Sequence, residues 1–207
     1  MIIAIDGPAG AGKSTVAKRV AAQLGFSYVD SGAMYRTIAA NALDAGISPD
    51  DEAGVVAIAE TAELDQIDET KIRLESVSRA VSKVARYPRV REIAVEKQRA
   101  IANQKNIVME GRDIGSVVFP HAEVKLYLAA SVEERARRRY QELLFTGAVV
   151  TLESVRTEII ERDRRDQERE TSPLLKLPDA VEVDTTGMSI MQVVEAICRI
   201  VNARRGF

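Results

Sequence analysis

A single cysteine, Cys198, occurs in the sequence, so no internal disulfide can form, and a reducing compartment fits. Its neighbours Ile197, Ile200 and Val201 place it in an apolar pattern, which makes it a small buried hydrophobe rather than a reactive thiol. His121 is the only histidine, and it follows Pro120 in an expected turn. Histidine-based metal sites and Ser-His triads are thereby excluded. Charge of one sign is also missing: 29 Lys and Arg face 31 Asp and Glu, a net charge of -2. No global positive field advertises nucleic acid, so any anion must be bound locally. Long apolar runs are absent too, since Met1-Ile2-Ile3-Ala4-Ile5 stops at Asp6, far short of the roughly 20 residues of a membrane span. The expectation is a cytoplasmic monomer with no nucleic-acid and no membrane partner. Neither repeats nor low-complexity tracts occur.

What is present is 46% hydrophobic residues in a 207-residue chain, enough to build one core. Apolar runs that read as strands alternate with helical patterns, the arrangement of an α/β fold with a mainly parallel sheet. Strands are expected at 1–6, 26–29, 106–109, 124–129 and 180–183. A helix over 13–24 ends at Gly25, and capping boxes open helices at Ser131 to Glu134 and Ser189 to Gln192. Two stretches depart from the alternation. Residues 47–105 are too long for one crossover and read as a small inserted subdomain. It holds a short helix, an alternating piece from Lys71 to Glu75 and a helix from Arg89 to Gln104. Residues 135–170 hold two helices dense in arginine. The core is then 1–46, 106–134 and 171–207 of a single domain spanning 1–207.

Gly7-Pro8-Ala9-Gly10-Ala11-Gly12-Lys13-Ser14-Thr15 matches Gly, four residues, Gly-Lys-Ser/Thr, after an expected strand and at the start of an expected helix. Glycines let backbone N–H groups converge on phosphate oxygens, Lys13 reaches the outer phosphates, and Ser14 can bind Mg2+ at the helix N-terminus. The loop by itself serves kinases, GTPases and motors alike. No Asn-Lys-x-Asp is present to read guanine, and the chain is short for the appended domains of a motor. Two further turns, Asp30-Ser31-Gly32-Ala33-Met34-Tyr35-Arg36 and Glu110-Gly111-Arg112-Asp113-Ile114-Gly115-Ser116, follow strands on the same rim, where ligands gather in parallel sheets.

Taken in order, GPAGAGKST, DSGAMYR, VSRAVSKVARYPRVR, QRAI, EGRDIGSVVFPHAEVKLYLAAS, EERARRR, RDRRDQER and VEVDTT resemble the bacterial cytidylate kinase family of nucleoside monophosphate kinases. The resemblance implies a P-loop kinase fold: a five-stranded sheet flanked by helices, with a small acceptor-binding insertion at 47–105 and an Arg-rich lid at 135–170. It implies ATP as donor, CMP or dCMP as acceptor, and Mg2+. By the same resemblance Ser31 and Arg36 meet the acceptor's sugar and phosphate, Ser82, Arg91 and Asp113 read cytosine, and Arg112 takes the acceptor phosphate. Asp166 and Arg169 approach sugar and phosphates from the lid, while Arg138 or Arg139, with Arg162, stabilises the transferring group. The chemistry suits these roles. Cytosine offers an amino donor beside acceptors, and a guanidinium fork matches a phosphate dianion. Arg135, Arg164 and Arg165 read instead as charges of helices laced with surface ion pairs, since Glu161, Asp163, Asp166 and Glu168 stand within one to four residues of the lid arginines. The segment between DSGAMYR and VSRAVS is shorter than in the long bacterial enzymes, and only Lys71 to Glu75 hints at their small sheet. Glu110 and Ser116 stand where Asp and Thr are more usual. A kinase for another small acceptor, or a switch protein that uses ATP to change shape, would carry the same loop.

Overall fold

The structure is a computed structural model and describes residues 1–103, 106–145 and 147–206. In chain order the elements are β1 (Ile2–Asp6), α1 (Lys13–Leu24), β2 (Ser27–Asp30), α2 (Ser31–Asp44), α3 (Glu52–Thr61), α4 (Glu75–Val84), α5 (Pro88–Ala102) and β3 (Ile107–Gly111). Then come β4 (Val124–Ala129), α6 (Val132–Phe145), α7 (Leu152–Glu168), β5 (Val181–Asp184) and α8 (Ile190–Arg205). Each expected strand is present within one or two residues, and α1 has the expected limits. One five-stranded sheet has the order β2-β3-β1-β4-β5, and β1 runs parallel to both β3 and β4, as β4 does to β5.

Central position explains the composition of β1. Ile3, Ala4 and Ile5 are sealed on both faces, as a strand between two covered faces must be. Around them Val20, Val108, Leu126, Leu128, Val194 and Ile197 close the core, and Cys198 lies within it. The chain runs from β1 out to β2, returns to β3 beside β1, and then passes to β4 on the other side. The carboxyl ends of β1, β3 and β4 therefore collect at the point where the strand order reverses, the usual place for a ligand in such a sheet.

Two compact units emerge, Met1–Val29 with Lys105–Phe207, and Asp30–Gln104. The first contains the sheet with α1, α6, α7 and α8. The second contains α2 to α5, with α2 packed on α3 and α4 and α3 on α5; Met34, Ile38, Val55, Val84 and Val90 are buried in it. Within this unit one expectation is corrected. Lys71–Arg73 is a single 3-10 turn, not a strand, and no strand lies among the described residues from 47 to 103. The Asp68 carboxylate accepts from the backbone N–H groups of Thr70 and Lys71, which winds the chain into a turn, and the alternation only reflects Ile72 turned inward. The helix expected from Arg89 begins one residue earlier, with Pro88 in its first turn; Gln104 lies outside the described residues.

Of the two expected capping boxes, Ser189 and Gln192 form theirs in full. Ser131 accepts from the Glu134 N–H, but the Glu134 carboxylate is turned to Arg137 and Arg138. No helix among the described residues is long and apolar enough to cross a membrane.

Candidate functional site

At the end of β1 the chain turns through Gly7, Gly10 and Gly12, all at positive φ. A Cβ on Gly7 would collide with the Leu128 carbonyl, so this position tolerates only glycine. Gly12 begins α1 without a side-chain cap, which leaves first-turn N–H groups of that helix free to face an anion. Lys13 is buried, and its Nζ donates to the Pro8 carbonyl at 2.8 Å. Burial, joined by the charges of Arg112 and Arg162, lowers its pKa to about 7, against the pull of Glu110 and Asp166. Ser14 and Thr15 are exposed in the first turn of α1.

The turn after β3 is built onto this loop. Asp6, the residue before Gly7, accepts from the N–H groups of Ile114 at 2.9 Å and Gly115 at 2.8 Å. Burial is the main reason its pKa rises to about 6, with the Asp113 charge adding to it, while the two N–H groups oppose the rise. Glu110 is buried and accepts from the Tyr28 hydroxyl at 3.0 Å. Arg112 donates through Nε to Asp166 at 2.8 Å. Desolvation would lower the Arg112 pKa, yet Asp166 and Glu110 hold it above its usual value. Asp166 in turn stays below the usual carboxylate range, because Arg112 and Arg162 outweigh its burial. Arg169 lies 4.0 Å from Asp113 and 3.9 Å from Asp166. Its Nε donates to the Ser172 carbonyl at 2.5 Å. Ser172 is the one non-glycine at positive φ among the described residues, at 53°.

In the first unit, then, Lys13, Arg112, Arg162 and Asp166 share one electrostatic neighbourhood, and Asp113 and Arg169 join it through Asp166. Arg138 lies against the loop, its guanidinium 3.8 Å from the place a Gly12 Cβ would occupy. It is held by Glu134 and by the Thr185 hydroxyl and carbonyl. Arg139 is turned outward to Glu142 at 2.9 Å.

In the second unit, Asp30 caps α2 through the Ala33 N–H, which sets Ser31, buried, at the first position of the helix and Arg36 one turn on. Arg91 is buried on α5, donates to the Ala85 carbonyl at 3.2 Å and lies 5.2 Å over the Tyr35 ring. Ser82, on α4, is half-buried.

Two features escaped the sequence. Asp6 carried a signal, an acid directly between a buried strand and the first glycine of the loop, but its partners, 108 and 109 residues away, did not. Arg135 corrects an expectation: it is not a surface residue. Its side chain is buried against Asp163, with Nη1 2.6 Å from the carboxylate, and it donates to the carbonyls of Ala130 and Ala9, each at 3.0 Å. Arg164 is exposed and paired with Glu161 and Glu168, as expected.

The family model that matches the chain is that of cytidylate kinase, over residues 3–203. A cytidylate kinase of Geobacillus kaustophilus is 51% identical over 218 aligned positions, 99% of this chain and 97% of that protein. One from Clostridioides difficile is 45% identical, with 98% of each covered. Among solved structures, a shikimate kinase from Acinetobacter baumannii shares the fold at TM-score 0.51 and 16% identity, covering 98% of this chain and 93% of the other. An uncharacterised protein from Eubacterium ventriosum does so at TM-score 0.58 and 13% identity, with 98% of each covered.

Proposed function

The chain belongs to the cytidylate kinase family, and from that premise we propose that it transfers the γ-phosphoryl group of ATP to CMP or dCMP, giving ADP and CDP or dCDP. The observation that carries the reading is the buried Lys13 at the mouth of the loop with Arg112, Arg162 and Asp166 around it. Phosphoryl transfer asks for alignment and charge neutralisation rather than covalent help. Asp166 accepts from Arg112 Nε; a phosphate dianion is an acceptor of the same kind with more charge.

In this reading residues 7–15 cradle the donor phosphates, and Lys13, Arg162 and Arg138 neutralise charge on the transferring group. Arg139 would reach it only by leaving Glu142. In the first unit Arg112 takes the acceptor phosphate, Asp113 accepts from the cytosine amino group, and Asp166 and Arg169 serve sugar and phosphate. The second unit contributes Ser31 and Arg36 to sugar and phosphate, and Ser82 and Arg91 to the base. The acceptor oxygen is ionised at neutral pH and needs no general base. Residues 135–170 act as a lid that keeps water from competing, and residues 47–105 as the acceptor subdomain.

Mg2+ would be held at Ser14 and would supply positive charge to neutralise the donor phosphates. No group of three or more His, Cys, Asp or Glu among the described residues could hold a metal alone. The exposed Ser14 hydroxyl at the helix start therefore suits an ion that arrives largely coordinated by phosphate and water. The single buried Cys198 supports a cytoplasmic location, and we read the protein as a monomer.

The test is ADP release with ATP and a panel of CMP, dCMP, UMP, AMP and shikimate. Turnover should require an acceptor and favour the cytidine nucleotides. Preferred AMP turnover refutes the acceptor assignment, and ATP consumption independent of any acceptor refutes transfer itself.

A further inference from the structure

Ala9, in the first half of the phosphate loop, is held from both sides by one ion pair. Its N–H donates to Asp163 Oδ1 at 3.3 Å, and its carbonyl accepts from Arg135 Nη1 at 3.0 Å. The two side chains bind each other at 2.6 Å, and Arg135 Nε is fixed by the Ala130 carbonyl. Arg135 is 5% exposed and Asp163 13% exposed, so water competes weakly for these bonds. The backbone packs as closely: a Cβ on Gly10 would stand 3.2 Å from Arg135 Cβ. A surface ion pair would show none of this.

We propose that Arg135 and Asp163 are positioning residues for the donor phosphates. A phosphate loop works by aiming successive N–H groups at one point, and rotation of a single peptide plane turns its N–H away. The ring closed by Arg135, Ala9 and Asp163 fixes the two planes that flank Ala9, just before the residues that run into α1. It also places the grip on α7, one residue after Arg162 and three before Asp166. The orientation of the loop and that of the helix bearing those groups are thus set by the same two side chains. Neither residue needs to touch a nucleotide for this.

The inference rests on the loop being a donor site, so titration of the wild-type protein with MgADP and with MgATP comes first. No binding by the wild type refutes that reading rather than this one. Asp163→Asn should then weaken donor binding about tenfold, the loss of a charge-assisted bond, and the acceptor KM should rise by less, through the helix that carries Asp166. The paired variant Arg135→Met/Asp163→Leu removes both charges at similar volume, a change that usually restores stability. It should unfold at the wild-type temperature yet bind MgADP as weakly as the single variant. Wild-type donor affinity in Asp163→Asn overturns the proposal. So does recovery of donor affinity together with stability in the paired variant, which would leave only a structural ion pair. Should Asp163→Asn fail to fold, the paired variant decides alone.

Discussion

Asp6→Asn tests how the two turns of the site are joined. The carboxylate uses one oxygen for the Ile114 N–H and the other for the Gly115 N–H. Its pKa rises from 3.8 to about 6, chiefly through burial. At 1.36 kcal/mol per unit, keeping it charged at neutral pH costs about 3 kcal/mol. Asparagine escapes that cost but turns an NH2 against one of the two N–H groups, a mismatch of about 1–3 kcal/mol. The terms nearly cancel, so at pH 7.5 the variant should be about as stable as the wild type. The pH dependence separates them. A folded pKa above the unfolded one gives stability that is full below 3.8 and lost as pH rises through 6. Between pH 5 and pH 7.5 the wild type should lose about 1.4 kcal/mol that the variant does not. Urea unfolding of both proteins at the two values measures this. A stability difference that stays constant, or grows in favour of the wild type as pH rises, refutes the reasoning. Activity should fall regardless of stability, with the acceptor KM rising, because the turn bearing Arg112 and Asp113 loses one of its two tethers.

Three further outcomes follow from the same geometry. Burial and the charges of Arg112 and Arg162 lower the Lys13 pKa to about 7, so part of it is neutral at pH 8 in the free protein; phosphate should recharge it. Calorimetry of MgATP binding in buffers of different ionisation enthalpy should show net proton uptake, and none refutes the shift. Asp113→Ala should raise the CMP KM and relax exclusion of UMP, by about 5- to 150-fold for one base contact of 1–3 kcal/mol; unchanged values for both sink its base-reading role. Ser172→Gly should raise stability or leave it unchanged, since the left-handed backbone costs a serine about 1 kcal/mol. Ser172→Val should destabilise by more than that and raise the acceptor KM as the carbonyl that holds Arg169 moves. Thermal unfolding and KM measurements decide both.

The order of the elements was legible because β1, the glycine loop and α1 make a local pattern in which each residue type has one use. Lys71 to Glu75 misled for an equally local reason: alternation is shared by a strand and by a short turn with one buried Ile72, and the capping by Asp68 that chooses between them lies outside the pattern. Asp30 and Ser31 could be read as a strand end and a helix start. That Arg91 lies over Tyr35 could not, since 56 residues separate them.

The arginine-rich segment shows where pattern reading fails. On α6 arginine stands at 135, 137, 138 and 139, so charge alone cannot say which of them turns inward. The apolar stripe can. Val132, Ala136, Tyr140 and Leu143 pack with Val155 and Ile159 of α7, and at 3.6 residues per turn Arg135 flanks that stripe in the first turn. A helix beginning beside Ser131 must bring its first turn close to the end of β4 and hence to the loop beyond β1. The Arg135 side chain is therefore committed to the loop by the same two facts, cap and stripe, that fix the helix. Arg137, off the stripe, is left to pair with Glu134 in solvent. Reading Arg135 as a surface charge discarded that register, and with it the one arginine of the four whose partner on α7 also binds the phosphate loop.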